Sequence, residues 1–162
     1  MPQLQAALDA KGIKVAIQNA GVSGDTSTGG LARLDWAVGP DAKAVILALG
    51  ANDMLRGISP NVTHKNLTTI INRLQARNIK VMLVGMLAAP NLGATYRQKF
   101  DAIYPQLAAQ YGLVYYPFFL DGVAAQRALN LADGIHPNRQ GIEVIIARIL
   151  PSVEKLAKQI TP

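Results

Sequence analysis

The stretch AVILALGAND, residues 44–53, decides the fold of this chain. Its first six residues, Ala44–Leu49, are all apolar, and an uninterrupted apolar run of this length is typical of a strand buried on both faces of a parallel sheet. Gly50 ends the run, and Asn52 and Asp53 then place polar side chains directly behind it. Because ligands bind at the carboxyl ends of strands in open α/β sheets, the same stretch predicts where a site would form.

The remaining chain repeats this order of strand and helix. Further strands are predicted at Ile13–Ile17, Ile79–Val84 and Leu113–Tyr116, from β-branched and apolar runs of strand length. Helices are predicted over residues 2–11, through Leu31, Leu34 and Trp36, from Ser59-Pro60 through Leu74, through Phe100–Ala108, over 121–128, and from Asn138 until Pro151 bends or stops the last one. Strand and helix alternate four times with short links, which predicts an α/β fold: an open parallel sheet with helices on both faces.

Composition narrows the classes of protein. The 162 residues predict a single domain, residues 1–162, and no apolar run reaches the roughly 20 residues of a membrane span. The net charge of +6 comes from scattered Lys and Arg, which disfavours nucleic acid as a partner. Cysteine is absent, so disulfides and a Cys nucleophile are excluded, and a periplasmic or secreted location and a cytoplasmic one both remain open. Two histidines and dispersed carboxylates indicate no metal site, and no cofactor is implied.

The stretch DGIHPN, residues 133–138, contains the chemistry expected of a general base. Gly134 and Pro137 forbid a regular helix across it, so Asp133 and His136 should share a rigid turn ahead of the last helix. A carboxylate there can accept the Nδ1 proton of the imidazole and leave Nε2 free as a base. The alternative is that Asp133 only initiates a turn and His136 packs or caps nearby structure.

Two further residues are candidate oxyanion donors. The carboxamide of Asn52, held at the end of a strand, offers two N–H donors and no titrating charge. Gly24 could offer a backbone N–H to the same point, because it lacks a side chain that would obstruct a substrate. A turn-forming role is the alternative for both residues.

In combination these blocks resemble the SGNH hydrolases, the GDSL-type esterases and lipases, and most closely the bacterial branch of thioesterase I, lysophospholipases and arylesterases. The resemblance covers nearly the whole chain and is carried by NAGVSGDTS (19–27) with GLARL (30–34), LGAND (49–53) with LRG (55–57), and DGIHPN (133–138). It implies a three-layer α/β/α, flavodoxin-like domain. It also implies that Gly24 and Asn52 donate to the oxyanion, that His136 is the general base and that Asp133 orients it.

One block of the family pattern has no match. Members begin with a strand that runs into Gly-Asp-Ser-Leu, whose Ser is the nucleophile, whereas Met1 falls where that block has already passed. Of the four serines, Ser59 is expected to cap a helix and Ser152 lies in the tail. Ser23 and Ser27 are weak candidates, because the residues around Ser23 lack the final Gly of a nucleophile elbow and Ser27 suits a helix cap.

By resemblance, the unmatched strand would lie between the strands at Ile13–Ile17 and Val45–Leu49. Its absence would leave two exposed strand edges, which invite pairing with another chain. Three outcomes are expected: an N-terminal segment supplied by another chain, strand exchange in a homo-oligomer, or a sheet that closes up with a crippled site.

The resemblance implies a serine hydrolase that cleaves carboxylic esters or thioesters, with short or medium acyl chains or as aryl esters, through an acyl-enzyme. The loop Met86–Gly93 and the aromatic residues Tyr115, Phe118 and Phe119 are candidates for an acyl-binding wall, with ordinary core packing as the alternative. A catalytically inactive scaffold or binding module without a nucleophile is the competing hypothesis. A nucleotide-binding domain is disfavoured, since no Gly-x-Gly-x-x-Gly or Gly-Lys-Ser/Thr loop follows a strand.

Overall fold

A three-stranded parallel sheet forms the centre of the computed structural model, which describes residues 2–161. The strands are β1 (Ala44–Leu47), β2 (Lys80–Val84) and β3 (Val114–Tyr116), and they lie side by side in that order. Ala44 is paired with Lys80, and Met82 with Val114. Each strand begins or ends within about two residues of its predicted position, as helix and strand boundaries normally vary.

Helices cover both faces of the sheet, which confirms the predicted α/β fold class. They are α1 (Pro2–Ala10), α2 (Ser27–Ala32), α3 (Leu34–Ala37), α4 (Ala51–Leu55), α5 (Pro60–Ala76), α6 (Ala94–Asp101), α7 (Ile103–Tyr111) and α8 (Arg139–Ala157). None of these helices combines the length and the apolar character that crossing a bilayer requires.

Two hydrophobic clusters fill the spaces between sheet and helices. The first lies on the α5, α6 and α7 side and includes Leu67, Ile71 and Phe100, all fully buried. The second lies on the α1 and α8 side and joins Leu8 to Ile149 across Met82 and Val84 of β2. Because the three strands are parallel, their carboxyl ends lie at one edge of the sheet between these helix layers.

Several predicted helices differ in detail. The helix predicted through Phe100–Ala108 is two helices that meet at Ala102, and residues 121–128 form turns that end in a short 3-10 helix at Arg127–Leu129. Pro151 does not stop α8, which continues to Ala157. Val153 and Leu156 beyond it are buried in the second cluster, and their burial offsets the hydrogen bond that proline removes.

The strand predicted at Ile13–Ile17 does not form, and this part of the prediction is wrong. The segment has no regular secondary structure and includes a tight turn in which Val15 N donates to Ile13 O at 3.0 Å, yet Ile13, Val15 and Ile17 all pack onto the second cluster, so the predicted period of two is present. No neighbouring strand completes a ladder among residues 2–161. The side chain of Gln5 takes that part instead, with Nε2 donating to Val15 O at 2.8 Å and Oε1 accepting from Ile17 N at 2.8 Å.

Candidate active site

Asp133 and His136 form a hydrogen-bonded pair within a tight loop. Asp133 Oδ2 lies 2.7 Å from His136 Nδ1, and Asp133 Oδ1 accepts the backbone N–H groups of Ile135 at 2.9 Å and His136 at 3.0 Å. The loop closes where Leu131 N donates to His136 O at 2.7 Å. The His136 side chain is 67% exposed, so its ring remains accessible while its Nδ1 is held.

These hydrogen bonds determine the charge of the Asp133 carboxyl and which nitrogen of His136 carries the proton. The backbone N–H of His136, then its ring, then the N–H of Ile135 lower the pKa of the Asp133 carboxyl to about 2. The carboxylate is therefore ionised at neutral pH and can only accept hydrogen bonds. Nδ1 of His136 must carry the proton between them, which leaves Nε2 as the basic nitrogen.

Asn138 anchors this loop to the last helix. Its Oδ1 caps α8 by accepting from Gly141 N at 3.0 Å, as the sequence predicted. Its Nδ2 donates to Ala128 O at 2.8 Å and, at 3.4 Å, to Asn130 O. One side chain therefore holds both the start of α8 and the residues that lead into the Asp133–His136 loop.

Gly24, in the loop before α2, and Asn52, in the first turn of α4, are the candidate oxyanion donors. Asn52 Nδ2 donates to Asp25 O at 3.0 Å, and the Arg56 guanidinium donates to Gly24 O at 2.8 Å. Gly24 has φ +76°, a left-handed conformation that a residue with a side chain rarely adopts. A carboxamide has two N–H groups, so Asn52 keeps one for another acceptor.

The two pairs follow different strands of the sheet. Asn52 follows β1, whereas Asp133 and His136 come after β3. Across residues 2–161, no hydrogen bond or ion pair connects the Gly24–Asn52 side to the Asp133–His136 side.

The serines differ sharply in their environments. Ser23 is exposed in the loop beside Gly24. Ser27 is fully buried, and its hydroxyl donates to the Asp53 carboxylate. Ser59 occupies the N-cap position of α5, although its side chain makes no capping hydrogen bond, and Ser152 lies in α8.

The candidate wall residues have mixed surroundings. Tyr115 packs against the first hydrophobic cluster and Phe119 against the second, while Phe118 is partly exposed. In the loop after β2, Leu87 presents 46% of its surface to solvent and Ala88 is buried. Core packing therefore accounts for two of the aromatic residues, whereas Leu87 is exposed to solvent.

Sequence reasoning assigned no role to Asp53 or Arg56. Asp53 is completely buried and bonded to three donors, and Arg56 contacts the carbonyl of Gly24. One signal was available for Asp53, since a charged residue directly behind a buried strand must either be a ligand or be satisfied internally.

Comparison with known proteins places these motifs in a family. Residues 1–144 match the model of the GDSL-like Lipase/Acylhydrolase family. The chain is 37% identical to esterase TesA of Pseudomonas aeruginosa over 94% of this chain and 77% of that protein. It is 36% identical to thioesterase 1/protease 1/lysophospholipase L1 of Escherichia coli K12, over 92% of this chain and 69% of that protein.

A solved structure agrees with these sequence matches. The crystal structure of AlinE4, described as an SGNH-hydrolase family esterase, superposes with a TM-score of 0.78 at 44% identity. The superposition covers 94% of this chain and 82% of AlinE4. Sequence and fold thus point to the same group of proteins.

Proposed function

This chain belongs to the GDSL-like lipase and acylhydrolase family and is an ester hydrolase, and we propose that it cleaves small carboxylic esters or thioesters through an acyl-enzyme intermediate. The observation that carries the proposal is the Asp133–His136 pair, in which an ionised carboxylate holds the Nδ1 proton of an accessible imidazole. No other described histidine has a carboxylate partner. An arrangement of this kind makes Nε2 a general base.

The proposed reaction follows from what each group can donate or accept. A serine hydroxyl loses its proton to His136 Nε2 as its oxygen attacks the carbonyl carbon. Gly24 N–H and the second N–H of Asn52 stabilise the oxyanion of the tetrahedral intermediate. His136 then gives the proton to the departing alcohol or thiol, which leaves the acyl-enzyme. In the second half-reaction His136 takes a proton from water as the water oxygen attacks the acyl carbon, and it returns that proton to the serine oxygen as the acid departs.

The nucleophile is proposed to arrive on an extended segment that pairs with β1. Lys80 N donates to Lys43 O at 2.9 Å, so the backbone groups of Lys43 point towards β2. Backbone groups of successive strand residues point to alternate sides, so those of Ala44 and Ile46 point to the other edge of β1. That edge has no strand partner within the described chain.

The segment 13–17 supports the same proposal from the opposite side. The backbone N–H and C=O groups of Lys14 and Ala16 have no backbone partner within residues 2–161. The side chains of Ile13, Val15 and Ile17 pack on the same cluster as those of Ala44 and Ile46. This shared cluster supports the proposal, in which a strand between segment and β1 would pair with the free backbone groups of both.

A complementation assay tests both proposals. The chain is mixed with a synthetic peptide of an apolar strand followed by Gly-Asp-Ser-Leu, and hydrolysis of p-nitrophenyl acetate and butyrate is followed. We expect hydrolysis that is lost with the matched Gly-Asp-Ala-Leu peptide and with His136→Ala. We also expect Asn52→Ala to lower kcat by about 10²–10³.

Other outcomes would contradict one proposal or both. Hydrolysis by the chain alone that depends on His136 and is abolished by Ser23→Ala would remove the need for an incoming strand. Hydrolysis that survives His136→Ala would eliminate the proposed general base. Absence of hydrolysis with both peptides would favour the inactive scaffold or binding module.

A further inference from the structure

Asp53 is a fully buried carboxylate that contacts no cation. It is 0% exposed and makes no salt bridge with any of the described residues. Its Oδ2 accepts Ser27 N at 2.7 Å, and its Oδ1 accepts the hydroxyls of Ser27 and of Thr63, the latter at 3.1 Å. A charge buried without a counterion persists only where several donors replace its hydration, and three do so here.

The donors come from two elements distant in sequence. Ser27 is the first residue of α2 and follows the loop that contains Gly24, while Thr63 lies in the first part of α5. Asp53 itself lies in α4, next to Asn52. The carboxylate therefore joins the loop of one proposed oxyanion donor to the helix of the other.

The surrounding hydrogen bonds require Asp53 to act only as a hydrogen-bond acceptor. Asn66 Nδ2 donates to Ser27 Oγ at 3.0 Å and to Thr28 Oγ1 at 2.9 Å, so the Ser27 hydroxyl accepts from Asn66 and directs its own proton to Asp53. Every partner of Asp53 is thus a donor. An ionised carboxylate satisfies all of them, whereas an amide would turn an N–H group towards at least one.

A second contact makes the link to the oxyanion donors direct. Asn52 Nδ2 donates to Asp25 O at 3.0 Å, so adjacent residues of α4 hold Asp25 and Ser27 on either side of Thr26. Moving the Asp53 carboxylate would shift Ser27, then the loop, and with it Gly24 relative to Asn52.

We propose that Asp53 is a positioning residue that sets the separation of Gly24 N–H from the Asn52 carboxamide. The inference rests on the proposed function, in which those two groups stabilise the oxyanion. Its consequence is that Asp53 acts on the rate of the chemical step without touching the substrate.

Nuclear magnetic resonance tests this without requiring catalysis. In the ¹⁵N-labelled chain, Asp53→Asn should shift the Gly24 amide and the Asn52 side-chain amide resonances, because the Gly24 loop moves relative to α4 and Asn52 Nδ2 donates to Asp25 O of that loop. Asp35→Asn is the matched control, since it makes the same substitution at an exposed carboxylate bonded to Arg73. Leu67→Ala controls for lost stability, because Leu67 is buried in the first cluster and makes none of these hydrogen bonds.

A kinetic measurement adds a readout that a purely structural role would not produce. In the complemented enzyme, Asp53→Asn should lower kcat about 10-fold to 100-fold while KM changes less than twofold, since only transition-state stabilisation is lost. Leu67→Ala should leave both parameters unchanged at temperatures where it is folded. If Asp53→Asn does not fold, Ser27→Ala and Thr63→Val each remove one donor and should move the same resonances by smaller amounts.

Two results would overturn the inference. The Gly24 and Asn52 resonances could stay at their wild-type positions in the Asp53 and Ser27 variants, or Leu67→Ala could move them equally. Failure of the proposed function looks different: the resonances would respond to Asp53→Asn, yet Asn52→Ala would leave hydrolysis intact.

Discussion

Replacing Asn138 with Ala should destabilise the chain by about 2 kcal/mol. The substitution removes the acceptor for Gly141 N–H, and losing an Asn N-cap costs about 1 kcal/mol. It also removes the amide donor to Ala128 O, and a hydrogen bond of that kind contributes about 1 kcal/mol. The longer contact to Asn130 O, at 3.4 Å, adds little.

Asn138→Ser separates these two contributions. Serine keeps an oxygen that can cap α8, but it has no amide to reach the carbonyl of Ala128. Its expected cost is therefore about 1 kcal/mol, half that of the alanine variant. Equilibrium unfolding in urea, followed by circular dichroism, gives both values from the midpoints provided that the m-value is unchanged.

Two results would contradict this prediction: the alanine variant loses less than about 0.5 kcal/mol of unfolding free energy, or the serine and alanine variants lose the same amount. The first result would mean that water replaces the cap without loss. The second would mean that the amide bond to Ala128 contributes nothing. Either would remove the argument that Asn138 holds the Asp133–His136 loop against α8.

Three further predictions concern other parts of the chain. The Asp133 carboxyl carbon should titrate with an apparent pKa of about 2 by NMR, so its hydrogen bonds are complete above the ordinary Asp value and are lost as the pH falls through about 2. A pKa near 3.9, the ordinary value, in the unmodified chain would contradict this prediction. His136→Ala should raise the pKa of Asp133 yet leave it below the ordinary value, because two backbone N–H donors remain. Leu67→Ala should cost about 2–5 kcal/mol in urea unfolding, whereas Trp36→Ala, at a side chain 75% exposed, should change stability by less than about 0.5 kcal/mol, and equal costs would refute the assigned core. Gln5→Ala should speed hydrogen exchange at Ile17 N–H about fivefold while the Ile13 N–H, bonded to Leu8 O, stays protected as an internal control; unchanged exchange at Ile17 would mean that Gln5 does not hold this segment.

Short-range features of the molecule were predictable from the sequence. The unbroken apolar run Ala44–Leu49 predicted a strand, and β1 lies within it, but the expected burial on both faces is wrong: only Leu47 is buried and Ala48 is exposed. Asp133 and His136 are three residues apart across a Gly and next to a Pro, so the turn that joins them is encoded locally. The cap at Asn138 is local for the same reason.

Features that depend on distant partners were decided by the tertiary structure. Ile13–Ile17 has the composition of a strand, but a strand exists only where another backbone pairs with it, and the side chain of Gln5 is its partner here. The partners of Asp53 could not be predicted from its sequence neighbours, because Ser27, which donates to it, lies 26 positions away. The sequence by itself therefore determined the alternation of elements and the local Asp133–His136 pair. The tertiary structure decided which edges are unpaired and which charge is buried, because those properties belong to contacts between segments that no local pattern records.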